Sequence, residues 1–167
     1  MNTRDLSATL TTLFSELVDG APNTGAFMLN RGDEGLLRSL DKLSAASASK
    51  AVTGGATIAA HVDHLRYGLS LMNRWAAGDN PWRDADWKAA WRTTNVSDAE
   101  WKKLRADLRN EVHRWVDAMR VPREVDEVEL NGMVGSIAHL AYHVGAIRQI
   151  DRATRGPSAN EEVRVPK

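Results

Sequence analysis

The chain has 167 residues, no cysteine, and 22 basic against 22 acidic side chains, for a formal net charge of zero. That length suits one domain with a core large enough to need no covalent staple. The charge balance provides no field for nucleic acid or an anionic membrane, and the absence of thiols excludes disulfides, thiolate zinc sites and cysteine nucleophiles.

The opening "MNTRDLSATL" has no apolar run of signal-peptide length, and no stretch approaches the roughly 18 apolar residues of a membrane span. A cytoplasmic protein is expected, without membrane or nucleic-acid partners. Leu6, Leu10, Leu13, Phe14, Leu17 and Val18 recur at helical spacing, and Gly20 with Pro22 ends that first amphipathic helix. "APNTGAFMLNRGD" reads as a loop, and "GDEGLLRSLDKLSAAS" as a shorter helix.

A second long helix is predicted from the N-cap Thr57 to Trp75, with Ile58, His61, Leu65, Leu69 and Met72 in one stripe and Asp63, Arg66, Ser70 and Arg74 on the polar side. "AGDNPWRDADWKAAWRTTN" is a long, tryptophan-rich connection. Ser97 and Glu100 form a capping box that opens a third helix with Trp101, Leu104, Leu108, Val112, Trp115, Val116 and Met119 on one side, and Pro122 stops it. An acidic linker, "REVDEVE", precedes a fourth helix over about 131–151. No alternating strand pattern is sustained, although "DEVEL" reads as locally extended. The fold class is therefore all-α, a four-helix bundle with a long Trp-rich connection between helices two and three. One domain covers 1–155, and 156–167 is a flexible tail.

The chain has five histidines, and "HLAYHVGAIRQI" (139–150) sets two of them four residues apart on the last helix. That spacing puts the imidazoles on one face, near enough to share a metal. The same face carries Gly132, Gly135, Ser136 and Ala146, all small, where a packing face would carry Leu or Ile. His61 and His64 lie three apart on helix two, and either can supply a third ligand, with His61 the more central in the stripe. Three imidazoles and one open position describe a catalytic rather than a structural metal. The competing reading is a pair of ordinary core histidines. His113 has no histidine partner at helical spacing and reads as a surface residue. Leu140 follows the first histidine where a zincin has Glu, and no histidine has Glu three residues before it, so the metalloprotease and di-iron carboxylate patterns both fail.

"TIAAHVDHLRYGLSLMNRW" followed by "GSIAHLAYHVGAIRQI" resembles the DinB-like superfamily of metal-binding four-helix bundles, which includes thiol-dependent S-transferases and mycothiol-dependent maleylpyruvate isomerase. The resemblance implies one ligand from helix two, about seven residues after its opening Ser or Thr, and two from an HxxxH motif that often continues as HxGQ. It therefore selects His64, His139 and His143 as ligands to a divalent metal, Zn or Ni. Gly145 matches the motif's glycine, while Ala146 stands where the glutamine belongs. The implied function is a metal-dependent enzyme acting on a small-molecule substrate. It would activate a low-molecular-weight thiol for S-transfer or water for hydrolysis, and homodimers occur in the family. The alternative is a non-catalytic stress-response or small-molecule-binding protein of the same fold.

The six tryptophans, Trp75, Trp82, Trp87, Trp91, Trp101 and Trp115, are expected to pack the long connection onto the helices, with one or two of the Trp82–Trp91 group roofing a pocket. Tyr142 points off the His139 direction and reads as a flanking residue. Arg66, Arg74, Arg148 and Arg152 read as a solvated face, or as one carboxylate-binding residue among them. Asp63, on the polar side, is not expected to be a ligand.

Overall fold

The computed structural model describes residues 3–158 apart from 23, 53 and 122. Among them every regular element is helical: α1 (Thr3–Asp19), α2 (Gly35–Asp41), α3 (Ala45–Ala48), α4 (Ile58–Ala76), α5 (Asp98–Arg120) and α6 (Glu127–Ile150), with short 3-10 turns at Pro81–Arg83, Ala89–Trp91 and Arg152–Thr154. The four long helices pack pairwise, α5 against α1 and α4, and α6 against the same two. Their shared interior holds Phe14 and Leu17 of α1, Ile58 and Val62 of α4, Leu108, Val112 and Trp115 of α5, and Ile137, Leu140 and Ile147 of α6. None of the described helices is long and apolar enough to cross a membrane.

Helix boundaries follow local chemistry. Thr57 Oγ1 accepts the Ala60 N–H at 3.2 Å and opens α4, and the expected Ser97–Glu100 capping box opens α5. The start of α6 corrects the sequence reading. Asp126 caps it by accepting the Glu129 N–H, and Glu129 returns a bond to the Asp126 N–H, so the last residues of the expected acidic linker form the first turn. Glu127 and Glu129 suit that place because carboxylates there oppose the positive end of the helix dipole. The single short helix expected before α4 is divided into α2 and α3. The expected stop at Pro122 and the tail residues 159–167 lie outside the described residues.

A second correction concerns the loop between α1 and α2. Asp33 is buried, and its Oδ1 accepts both the Gly35 N–H and an N–H of Arg148 on α6, the latter at 2.8 Å. Arg148 is thus bound to a buried carboxylate rather than solvated. Gly20 (φ +106°) and Gly35 (φ +76°) are left-handed and cross at close range, since a Cβ on Gly35 would lie 2.4 Å from the Gly20 nitrogen. Only glycine meets both conditions. Glu16, also buried, accepts the backbone N–H groups of Phe27, Met28 and Leu29 and ties the same loop to α1.

Trp101 and Trp115 belong to the interior of α5 rather than to the connection. Trp101 donates to the Leu43 carbonyl at 2.9 Å, and Trp115 to Ser136 Oγ of α6 at 3.0 Å. The connection itself is pinned to α4 by polar bonds. Tyr67 Oη accepts the Asp86 N–H, Thr93 donates to Asp63, and Arg74 pairs with Asp79 and Asp84.

Candidate metal centre

α4 is buried around most of its circumference, because α5 covers one side and the 81–91 segment another. Both His61 and His64 are therefore interior, at 8% and 7% exposure. They face α6, where the four-residue spacing aligns His139 and His143. One ring nitrogen from each of His64, His139 and His143 lies within 4.8 Å of those of the other two, a grouping able to hold a metal ion. His61 is not in that group. It reaches the cluster through His143, the two Nδ1 atoms being 2.8 Å apart. His113 lies exposed on α5, away from the cluster, beside Asp19.

His139 Nε2 is 3.0 Å from His64 Nε2 and 3.0 Å from His143 Nε2. A ring nitrogen carries either one lone pair or one N–H in its plane, so it cannot serve two in-plane hydrogen bonds well. One cation among the three nitrogens would take a lone pair from each. Neighbouring nitrogens of a tetrahedral site with metal–nitrogen bonds of about 2.0–2.1 Å are about 3.3 Å apart, so the two edges that meet at His139 need only a small opening.

Protonation favours the same use. Burial, then the nearby His139 and His61, push His64 down to about 4 against the opposing pull of Asp63. Burial and the three neighbouring imidazoles push His143 down to about 3. Burial alone lowers His61 and His139. All four rings are accordingly neutral near pH 7, the form that donates a lone pair. His64 Nδ1 is buried and has no hydrogen-bond partner. Among the described residues no carboxylate joins the triad, and Asp63 turns away to Arg66 and Thr93.

Trp91, which sequence reasoning placed only within a group, closes one side of the cluster. It stacks on His64 at 4.3 Å between ring centroids and meets His61 edge-on at 5.4 Å. Tyr142, largely exposed, packs edge-on against the outside of His143. Along the other side runs a cavity of about 390 Å³ between α4 and α6, lined by His64, Gly68, Leu69, Gly135, His139, Trp82 and Trp87 among others.

The small residues beside the histidines divide in their roles. Gly135 opens onto the cavity, and a Cβ there would meet nothing within 4 Å. Gly132 also lines the cavity but accommodates Trp75, whose ring would be 2.5 Å from a Cβ. Ala146 does not line the cavity.

Comparison of the chain with family models, with curated proteins and with solved structures finds no match.

Proposed function

We propose that the protein is a DinB-like four-helix bundle that holds a divalent metal, Zn²⁺ or Ni²⁺, on His64, His139 and His143, and uses it to activate a small thiol for transfer to an electrophile. The observation that carries this reading is the convergence of three neutral imidazoles from two helices on one point. An all-imidazole donor set suits either metal. A cation so held supplies Lewis acidity, which lowers the pKa of a thiol or water that meets it.

The surrounding residues favour thiol over water. Hydrolysis draws on a general base within reach of the attacking water, and among the described residues no Asp or Glu lines the cavity or joins the histidines. A thiol, with an ordinary pKa nearer neutrality, loses its proton to solvent without such help. Its sulfur then bonds to the electrophilic carbon, and the leaving group departs with its electron pair. His64 and His139 present the reaction edge to the cavity, while Trp91 keeps water from the opposite side.

Elemental analysis of protein purified without an affinity tag tests the proposal. The native chain is expected to carry about one equivalent of metal, and His139→Ala less than about a tenth, since each ligand is worth orders of magnitude in affinity. Native protein with no metal after incubation with Zn²⁺ or Ni²⁺ would refute the reading and leave a non-catalytic helical protein. A screen of thiols against electrophiles, beside an ester and amide panel, then separates transfer from hydrolysis.

A further inference from the structure

The cavity beside the histidines has a chemical character that the triad alone does not dictate. Leu65, Leu69, Met72 and Leu140 form its floor, Trp82 and Trp87 its outer wall, and among the described residues no Lys, Arg, Asp or Glu lines it. Besides the indole N–H donors of Trp82 and Trp87, its polar side chains are His64, His139 and Ser136, and Ser136 is already engaged, donating to the Met133 carbonyl and accepting from Trp115. Side-chain acceptor capacity is therefore concentrated at the histidine end. Three arginines singled out as possible anion binders are paired with carboxylates, Arg66 with Asp63, Arg74 with Asp79 and Asp84, and Arg148 with Asp33.

Two glycines on facing helices keep this space open. Gly135 of α6 borders it with no atom within 4 Å of a Cβ position, and a Cβ on Gly68 of α4 would stand between Trp87 at 3.9 Å and His139 Cε1 at 4.0 Å. Cell thiols of low molecular weight carry charged or hydroxyl-rich bodies, which this lining would strip of water without replacing their hydrogen bonds. The volume is in the range that accepts a whole small molecule.

We infer that the cavity binds the electrophile and not the thiol, and that its ligand is a neutral, largely apolar, flat molecule with one electron-pair donor turned toward His64 and His139. The donor end of this assignment rests on the metal reading above, whereas the apolar body rests on the cavity lining alone.

The test is calorimetric titration with 1-naphthol, which is neutral at pH 7.5, and with 1-naphthoate, its anionic counterpart. Each is titrated into zinc-loaded protein and into protein kept in EDTA. Naphthol is expected to bind in both states, and at least roughly tenfold more tightly than naphthoate when metal is removed, because the lining offers no cation to the carboxylate. Gly135→Leu, which fills open space on a helix and improves its propensity, is expected to weaken naphthol binding by roughly tenfold or more while leaving zinc content unchanged. Gly68→Ala should weaken it by a smaller factor.

Equal or tighter binding of naphthoate in EDTA, or naphthol binding indifferent to Gly135→Leu, would overturn the inference. So would sedimentation showing a dimer that naphthol dissociates, since a second copy would then be the occupant. Failure of the metal reading shows separately, as absent zinc in native and variant protein alike, with naphthol binding in EDTA unaffected.

Discussion

The loop knot around Glu16 and Asp33 and the histidine cluster both bury polar side chains, and they satisfy them in opposite ways. Glu16 accepts three consecutive backbone N–H groups, and Asp33 accepts one backbone N–H and one guanidinium N–H. Both carboxylates there meet donors held by the fold itself. In the cluster the rings bond mainly to each other, one nitrogen of His139 is approached by two neighbours, and His64 Nδ1 has no partner. Buried polar groups that only hold a fold together are normally satisfied within it. The difference sets the knot, whose acceptors meet backbone and guanidinium donors, apart from the cluster, whose nitrogens could hold a metal ion.

Removing the knot's central acceptor is the strongest way to break this contrast. Glu16→Ala orphans the N–H groups of Phe27, Met28 and Leu29 and should reduce stability by about 2–4 kcal/mol, with Glu16→Gln, which keeps one acceptor oxygen, falling between. Urea denaturation measures the loss. Metal content should not change, and a variant that lost both stability and metal would show the two regions to be one unit.

Acid separates the two regions by window. Glu16 and the four clustered histidines have folded pKa values below their ordinary ones, so at those groups the unfolded chain binds more protons and stability falls as pH falls. For His64, whose ordinary value of 6.5 drops to about 4, and for His143, which drops to about 3, the loss begins near 6.5 and continues through those values. For Glu16, desolvation would raise the pKa, but the bonds from Leu29, Phe27 and Met28 outweigh it and lower the value below 4.5, so its contribution is lost only beneath that. Metal-free protein should therefore lose up to about 1.4 kcal/mol per pH unit for each of His64 and His143 as pH falls from 6.5 to about 4.5. Glu16→Gln should leave that slope intact, and His143→Ala should reduce it. A flat urea midpoint across the window would contradict the burial of neutral rings.

The pairing of His139 with His143 was legible because helical spacing alone puts residues four apart on one face. The choice between His61 and His64 was not legible in phase, since α4 is enclosed on more sides than an amphipathic stripe implies and Ala59, Ala60, Val62 and Leu71 are buried along with the expected residues. The sequence places Gly132 and Gly135 alike as space beside the histidines, and both line the cavity, but Gly132 is also pressed by Trp75, which nothing in the sequence distinguishes. The pairing of Arg148 with Asp33, residues more than a hundred positions apart, has no local signature at all. The first turn of α6 was hidden because its acids resemble a linker until Asp126 and Glu129 are seen as a reciprocal cap.

The smallest effect concerns His61, which lies between the two classes of behaviour. If His143 turns its Nε2 lone pair toward the triad, its Nδ1 carries the proton and donates to His61 Nδ1 across 2.8 Å. That bond fixes the ring's tautomer and orientation, as partners behind metal-binding imidazoles commonly do. His61→Ala should then weaken zinc binding by roughly tenfold in chelator competition, far less than His139→Ala. His61→Asn, whose side-chain oxygen can accept from the same N–H, should recover part of the loss. A loss as large as that of His139→Ala, without recovery in the Asn variant, would make His61 a ligand in its own right. No loss at all would mean that packing under Trp91 suffices to hold His143 in place.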